Sequence, residues 1–250
     1  MIYLKNQEEI DKIKKACEIY KQIVQEFTYE KIANKSLKTI DLMLKDFVES
    51  KNANNCYHGY LGFKGYHCLS LNQTIIHGIA TDEIFGAKDK LSIDIGIELD
   101  NYYCDSAFTI LGPEVNQRQK MLSEATLNCI FEVVKKIVPN QTTTGDIGYW
   151  TEQYAKKFNY QVIRDFGGHG CGIKIHEDPL VLNFGTPNKG TKLKPGMIIC
   201  IEPMFFEKNN QYYIDPADQW SVKPINKNQF VCHWEHMVLI TEDGAQILTI

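Results

Sequence analysis

The chain has 250 residues, of which 44% are hydrophobic, and its formal net charge at pH 7 is −4. This length and composition predict a globular protein with one large core or two small ones. The negative charge gives no basic footprint for DNA or RNA, and no apolar run reaches the ~18 residues that a membrane span needs. The N-terminal residues become amphipathic at once and lack the features of a signal peptide, which predicts a cytoplasmic location.

The eight cysteines are scattered along the chain and form no C-x-x-C pair. Neither a zinc ribbon nor a redox motif is therefore indicated. Several cysteines lie inside apolar runs, as Cys200 does in MIICIEP. Reduced and buried thiols are expected.

Two helices followed by strands are predicted in the first half of the chain. Asn6, with Glu9 three residues later, predicts the N-cap of a first helix whose apolar residues then repeat at helical spacing. A second helix is predicted from Thr39 to Val48. Strands are predicted around residues 68–71, 75–76 and 91–110.

The second half repeats this order. Asn116 predicts the cap of a long helix that runs to about Val138, because Pro139 cannot continue it. Another helix fits residues 145–158. Strands are predicted around 161–163, 180–184, 197–206, 231–240 and 246–250.

The repeated order of elements predicts two similar α+β halves, at about 1–112 and 113–250. No Pro-, Ser- or charge-rich linker separates them, so both halves are expected to pack into a single domain. A functional site is expected between the halves.

The stretch LSIDIGIELDNYYCDSAFTI, residues 91–110, places two aspartates in the middle of apolar strands. A turn centred between Leu99 and Asp100 puts Asp94 directly opposite Asp105 on one face of the hairpin. Because like charges placed opposite each other are destabilising, a shared proton or a shared cation is expected between them.

Acids and histidines occur in unusual settings at other positions. His77 ends an apolar strand in IIHGIA, and His169 lies among glycines in DFGGHGCGIKIHEDP, which also contains His176. Glu202 lies in KPGMIICIEPMFF and Glu235 in VCHWEHMVLI. Each has a simple structural interpretation, such as a turn histidine or a solvent-facing acid. Glu202 fits that interpretation least, because an unpaired buried carboxylate is costly.

Together these side chains predict a metal centre. The carboxylates of Asp94, Asp105, Glu202 and Glu235 can share a pocket only if cations neutralise them, and an oxygen-rich set with imidazole suits divalent Mn, Fe or Co at least as well as Zn. Two ions ~3.5–4 Å apart would activate a water, which predicts metal-assisted hydrolysis. Histidines that bind no metal would be free to contact a substrate. The spacing does not indicate which bond is cut.

The same segments resemble the type I methionine aminopeptidases over essentially the whole chain. The family's motifs occur in order, as SLNQTIIHGIA, the hairpin with its two aspartates, GGHGCGIKIHEDP, KPGMIICIEPM and HWEHMVLITEDG. The resemblance implies a pita-bread fold, in which two pseudo-twofold-related α+β halves surround a dinuclear metal site. It further implies that Asp94 chelates one metal, that Asp105 and Glu235 bridge both, and that His169 and Glu202 bind the other.

The resemblance also implies roles in catalysis. His77 would contact the scissile amide nitrogen, His176 would polarise the scissile carbonyl oxygen, and Glu202 would pass a proton from the attacking water to the leaving amine. The substrate would be the N-terminus of a nascent polypeptide, from which the initiator Met is removed when the second residue is small. The pocket for the Met side chain would be lined by Phe63, Cys68 and Trp220.

Several residues depart from the pattern of that family. Leu61 stands where the family often has His, so one substrate-side histidine is missing. All ligand types are retained, so hydrolysis is expected, while the stringency for Met stays open. The other departures are Ala80 for Pro, Cys104 for Gly, Cys171 for an apolar residue, Met237 for Thr and His233 for Gln.

Two alternatives stay open. One is an Xaa-Pro aminopeptidase or prolidase, although these enzymes usually add a sizeable N-terminal domain for which this length leaves no room. The other is a pita-bread protein without catalysis that binds peptides or ribosomal partners. A monomer is expected, with a transient association with the ribosome left open and no membrane or DNA contact.

Overall fold

A computed structural model describes residues 2–250 and shows the predicted α+β architecture. The helices are α1 (Gln7–Glu26), α2 (Tyr29–Ile32), α3 (Leu37–Ser50), α4 (Gln117–Val134) and α5 (Thr144–Lys157). The strands are β1 (Asn54–Asn55), β2 (Cys68–Leu71), β3 (Lys90–Leu99), β4 (Tyr102–Leu111), β5 (Gln161–Val162), β6 (Gly167–Gly170), β7 (Glu177–Leu182), β8 (Ile198–Ile201), β9 (Met204–Phe206), β10 (Tyr212–Ile214), β11 (Val222–Pro224), β12 (Val231–His233), β13 (His236–Ile240) and β14 (Ala245–Ile247).

The predicted caps explain where the helices begin. The side chain of Asn6 accepts a hydrogen bond from the Glu9 backbone at 3.0 Å, and the Glu9 carboxylate accepts one from the Asn6 backbone at 2.8 Å. This capping box satisfies two backbone donors that the helix itself leaves free. Helix α3 begins two residues before the predicted Thr39, because Ser36 acts as its N-cap and accepts from the Thr39 backbone at 3.2 Å.

The helices of the second half agree with the prediction to within one residue, except at the C-terminal end of α4. Asn116 caps α4, and its side chain accepts from the Arg118 backbone at 2.9 Å. Helix α4 stops at Val134, earlier than the predicted Val138. The chain leaves the helix through a turn at Lys135 and Lys136 and then leads to Pro139.

Most of the strands form two antiparallel sheets, one in each half. The first sheet has the order β1-β3-β2, with β4 paired to β3. The second has the order β14-β13-β8-β6-β7. A smaller sheet, β12-β9-β5, and the hairpin β10-β11 complete the set within residues 2–250. The strand predicted at 75–76 is reduced to an isolated bridge between Ile76 and Val222.

The register of the β3–β4 hairpin differs from the prediction. Asp94 pairs with Ala107, and Asp105 pairs with Gly96, so the aspartates are diagonal neighbours and not direct partners. The turn consists of Asp100 and Asn101, which have φ angles of 53° and 66°. The centre of the turn therefore lies one residue later than predicted. Both pairings place the aspartates on the same face, because side chains alternate with a period of two.

Two strands predicted as continuous are interrupted at the acids that they carry. The 197–206 segment forms β8 and β9, separated by Glu202 and Pro203, and the 231–240 segment forms β12 and β13, separated by Trp234 and Glu235. Strand β8 pairs with β13, whereas β9 pairs with β12 in the smaller sheet. Both glutamates thus lie where the chain passes from one sheet to another. Pro203 contributes to the first interruption because it has no N–H to donate to a ladder.

The core fixes which face of the hairpin is available for a site. Ile93, Ile95 and Ile97 pack in a buried cluster with residues of α1 and α3, and the Tyr20 ring of α1 meets the Phe108 ring of β4 edge to face at 6.0 Å. By alternation, the aspartates lie on the opposite face of the hairpin. Within residues 2–250, no helix combines the length and apolar character that a bilayer crossing requires.

Candidate active site

A cavity of about 430 Å³ lies against the aspartate-bearing face of the hairpin. Its walls come from both halves of the chain. All the site residues predicted from the sequence line it, namely Phe63, Cys68, His77, Asp94, Asp105, His169, His176, Glu202, Trp220 and Glu235.

The two aspartates are held by a tyrosine that was not predicted from the sequence. The Tyr57 hydroxyl lies 2.8 Å from Asp94 Oδ1 and also hydrogen-bonds to Asp105 Oδ1. Its ring occupies the space above Gly96, where an added Cβ would lie 2.6 Å from a ring carbon. A phenol has one proton to donate, so it joins the two carboxyl groups without satisfying both.

His169 is oriented as a ligand. Its Nδ1 lies 3.0 Å from the Gly170 carbonyl oxygen, which can only accept, so Nδ1 carries the proton and Nε2 keeps a free lone pair. Nε2 lies 3.7 Å from Asp105 Oδ2 and 3.9 Å from Glu202 Oε1. These distances exceed a hydrogen bond but suit donors that share an ion at ~2.0–2.2 Å from each.

Glu235 is a second residue whose surroundings suit a metal ligand. Its side chain is 2% exposed, and Oε1 has no hydrogen-bond partner in the described part of the chain. An oxygen of this kind is costly unless something else satisfies it. Ligand atoms of Asp105, His169, Cys200 and Glu235 lie within 4.8 Å of one another. The residues present therefore fit a divalent metal.

Burial raises the pKa values of all four acids, and neighbouring carboxylates add to this effect at Asp94, Asp105 and Glu235. Burial raises the pKa of Glu202 to about 8 and that of Asp94 to about 6. Burial, reinforced by neighbouring carboxylates, holds the pKa values of Asp105 and Glu235 well above their usual range. Cations would remove this penalty, because positive charge favours the ionised carboxylates.

An aromatic wall adjoins the metal donors. The Trp220 ring lies 5.2 Å from Phe63 and 6.1 Å from His77, while Phe166 meets His77 at 5.4 Å. Burial lowers the pKa of His77 to about 4, so its imidazole is neutral at pH 7. Cys68 closes this part of the cavity and pairs with Asp94 across the β2–β3 ladder. The wall forms an apolar pocket next to the carboxylates.

His176 lies beside His169 without reaching the acids. The two imidazole rings are 4.3 Å apart, and the Nδ1 atom of His176 lies 3.0 Å from the Tyr60 hydroxyl. Burial lowers the pKa of His176. Its position at the cavity wall and its neutral ring suit contact with a substrate oxygen.

Two further residues at the site were not predicted to act there. Cys200 donates its thiol to the Asp105 carbonyl oxygen at 3.8 Å. His233 is 1% exposed, and its Nε2, which lies 3.6 Å from Glu202 Oε2, has no hydrogen-bond partner in the described part of the chain. The signal for His233 was available, since it stands where the resembled family commonly has Gln.

The departures from the family pattern lie at different depths. Leu61 lines the cavity, and its side chain is 79% exposed at the mouth. Cys104, Cys171 and Met237 are buried in the core behind the metal donors and are not among the described residues that line the cavity. Met237 Sδ accepts from the Asp105 backbone at 3.2 Å. Of these four changes, only Leu61 would touch a substrate directly.

Residues 11–242 match the family of proteins described as metallopeptidase family M24. The chain belongs to this family. It is 74% identical to a methionine aminopeptidase of Mycoplasmoides gallisepticum over the full length of both chains. Membership of this metallopeptidase family implies binding of a divalent metal, in agreement with the potential metal ligands in the cavity.

Solved structures of the family share the fold. A methionine aminopeptidase from Thermotoga maritima superposes with a TM-score of 0.93 at 31% identity, covering 100% of this chain and 99% of that one. A prolidase from Pyrococcus furiosus gives a TM-score of 0.75 at 26% identity, covering 99% of this chain and 65% of that one. The predicted pita-bread fold and the resemblance to methionine aminopeptidases are confirmed.

Proposed function

We propose that the protein is a metal-dependent aminopeptidase that removes the N-terminal methionine of polypeptides. The observation that carries this proposal is the cavity, which combines metal donors, an apolar pocket and two neutral histidines. The full-length identity of 74% to a methionine aminopeptidase supports the same activity. Nascent chains with a small second residue are the proposed substrates.

Two divalent ions are proposed for the centre, held by Asp94, Asp105, His169, Glu202 and Glu235. Manganese, iron or cobalt suits this oxygen-rich set, with zinc as an alternative. When bound, such ions lower the pKa of a shared water and so supply a nucleophile near neutral pH. By the resemblance, Asp94 would hold one ion, His169 and Glu202 would hold the other, and Asp105 and Glu235 would be shared by both.

The protons of the reaction are assigned to residues of this chain. Glu202 accepts a proton from the water as its oxygen bonds to the scissile carbonyl carbon, and delivers that proton to the amine as the C–N bond breaks. A carboxylate within reach of both the water and the leaving nitrogen can accept the proton and then release it. His77 contacts the scissile nitrogen, and His176 donates a hydrogen bond to the carbonyl oxygen.

The methionine side chain is proposed to occupy the aromatic pocket. Phe63 and Trp220 form its edges, and Cys68 lies beside it. Aromatic rings and sulfur make favourable contacts with a thioether. Leu61, at the mouth, would contact residues that follow the scissile bond.

The site is proposed to belong to one domain built from the halves 1–112 and 113–250. Two of the proposed ligands come from the first half and three from the second, and the first core cluster includes residues of both. The protein is proposed to act as a monomer in the cytoplasm. Transient docking to the ribosome would bring nascent N-termini to the cavity.

The direct test is hydrolysis of three peptides, Met-Ala-Ser, Leu-Ala-Ser and Ala-Pro-Ala, by metal-stripped protein with Mn²⁺, Fe²⁺ or Co²⁺ added. Metal-dependent release of Met alone is the expected result. The Asp105→Asn variant is the control for the metal centre, since it keeps the shape of the side chain but removes its charge.

Other outcomes of this test separate the alternatives. Cleavage of Ala-Pro-Ala would support an Xaa-Pro aminopeptidase, which the structural match to a prolidase keeps as the second candidate. Cleavage of Leu-Ala-Ser would show that the altered residues have widened specificity. No cleavage with any metal would contradict hydrolysis and favour a binding protein.

A further inference from the structure

Tyr60 makes two contacts with His176 that the proposed reaction does not yet use. The two rings stack with centroids 5.2 Å apart at an interplanar angle of 29°, and the Tyr60 hydroxyl lies 3.0 Å from His176 Nδ1. Both residues line the cavity. The contact therefore fixes one ring nitrogen of His176 and leaves the other available.

Both partners are held in place by their own segments. The loop of residues 59–63 is closed by backbone hydrogen bonds, from Tyr60 to Tyr57 at 2.9 Å and from Gly59 to Phe63 at 2.9 Å. On the other side, the Glu177 carboxylate next to His176 accepts from the Ile173 backbone at 2.6 Å. The same carboxylate forms a buried ion pair with Lys5 at 2.6 Å. Because both segments are held by these bonds, the relative position of Tyr60 and His176 is fixed.

The chemistry of the contact favours one tautomer of His176. A phenol hydroxyl is a good donor, and an unprotonated imidazole nitrogen is a strong acceptor. If Tyr60 donates to Nδ1, the proton of the neutral ring must lie on Nε2, because a neutral imidazole has one donor and one acceptor. Nε2–H is then a donor toward the cavity.

The neighbouring His169 shows the opposite arrangement. There Nδ1 faces a carbonyl oxygen at 3.0 Å, which forces the proton onto Nδ1 and leaves Nε2 as a lone pair for a metal. Two adjacent histidines, with rings 4.3 Å apart, thus differ in role through the partner of one nitrogen. The carbonyl oxygen can only accept and so fixes the tautomer of His169, whereas the hydroxyl can donate and so favours the Nε2–H tautomer of His176.

We propose that Tyr60 is a positioning residue, which holds His176 as the Nε2–H tautomer so that it can donate to the scissile carbonyl oxygen. This inference rests on the proposed aminopeptidase reaction. It assigns a role to Tyr60 in the loop that also carries Leu61 at the mouth. Without the hydroxyl, part of the His176 population would turn an acceptor toward the substrate oxygen, which cannot form a hydrogen bond.

The test uses Tyr60→Phe, which keeps the stacked ring and removes only the hydroxyl. In full-length protein with ¹⁵N-labelled histidine, with and without Zn²⁺, we expect the Nε2–H signal of His176 to lose intensity to the other tautomer. The His176→Ala variant identifies that signal. With Met-Ala-Ser, we expect kcat to fall roughly three- to tenfold, as for loss of one hydrogen bond, with KM within about twofold of the parent value.

A double variant and a matched control decide the interpretation. In the His176→Ala background, Tyr60→Phe should cause no further loss of kcat, because the two residues act as one unit. Tyr66→Phe is the control: Tyr66 stacks on His58 at 4.5 Å and is outside the set of described residues that line the cavity. The Tyr66→Phe variant should leave both kcat and the NMR signal of His176 unchanged.

Two results would overturn the proposal. One is an unchanged His176 tautomer in Tyr60→Phe, and the other is a loss of kcat that persists in the His176→Ala background. Failure of the proposed function would look different, since the parent protein would then release no Met while the NMR comparison still reported on Tyr60 and His176.

Discussion

Single side chains in the cavity take their properties from their nearest surroundings. His169 turns a lone pair toward two acids, because its other nitrogen donates to a carbonyl. The His77 ring packs against the rings of Phe166 and Trp220, and burial lowers its pKa, so that it is neutral at pH 7. Burial raises the pKa of Glu202 to about 8, and a bound cation would lower it again by favouring the carboxylate.

Replacement of His176 by Ala separates substrate contact from metal binding. We expect kcat for Met-Ala-Ser to fall roughly 10²- to 10³-fold, as when a donor to a developing oxyanion is removed. Metal content, measured on the purified variant by mass spectrometry, should equal that of the parent, since His176 reaches none of the acids. Loss of metal together with activity would show that His176 is a ligand.

The main site residues could be predicted from the sequence because their residue types are unusual in apolar segments. The others could not, because their role depends on contacts that form only in the folded chain. An acid in an apolar run, such as Glu202, signals an unusual environment wherever the chain folds. Tyr57 carries no such signal, because tyrosine is common in apolar segments and its contact joins residues 37 positions apart in the chain. The contact of Cys200 with Asp105 spans 95 positions and was equally hidden.

At the level of elements, turns and strand breaks decide where the acids lie. The predicted hairpin was wrong by one residue at its centre, although the signal for the observed turn was present. A two-residue turn with two positive φ angles favours Asp and Asn at its centre, which are Asp100 and Asn101. The interruptions at Glu202 and Glu235 were not predicted, because apolar periodicity alone cannot show that a strand changes sheets.

Gly96→Ala tests how the hairpin and the Tyr57 segment fit together. The new Cβ would lie 2.6 Å from both Cys56 Sγ and the Tyr57 ring, and a buried, hydrogen-bonded ring has little freedom to move. We expect a loss of about 1–3 kcal/mol in unfolding free energy, measured in urea. Displacing the hydroxyl from Asp94 and Asp105 should also weaken Mn²⁺ binding roughly tenfold by calorimetry.

Gly244→Ala is the matched control for this substitution. A Cβ at that position meets nothing within 4 Å, so stability and Mn²⁺ affinity should stay close to those of the parent. If Gly96→Ala bound Mn²⁺ as tightly as Gly244→Ala does, Tyr57 would have no part in holding the aspartates.

The whole molecule places donors from distant parts of the chain around one cavity. Asp94 and Asp105 come from the first sheet, His169 from the second, and the two glutamates from the points where strands change sheets. The buried pair of Lys5 and Glu177 also ties the N-terminal segment to the segment of His176. This set of ligands is assembled only in the folded state, so metal ions that bind to it would stabilise that state.

Fold class and element order followed from the sequence because periodicity and caps are local. The relative placement of the two sheets did not, since it depends on side chains that meet across the core, such as Cys17 Sγ and Met237 Sδ at 3.8 Å. The division into halves at about residue 112 stays a prediction.

Five side chains from both halves of the chain are proposed to hold two divalent ions. Anomalous scattering from a crystal of the protein soaked in Mn²⁺ would locate these ions and their ligands. The expected result is two peaks, ~3.5–4 Å apart, with Asp94, Asp105, His169, Glu202 and Glu235 as their only protein ligands. A single peak, or a peak ligated by other side chains, would contradict the dinuclear centre.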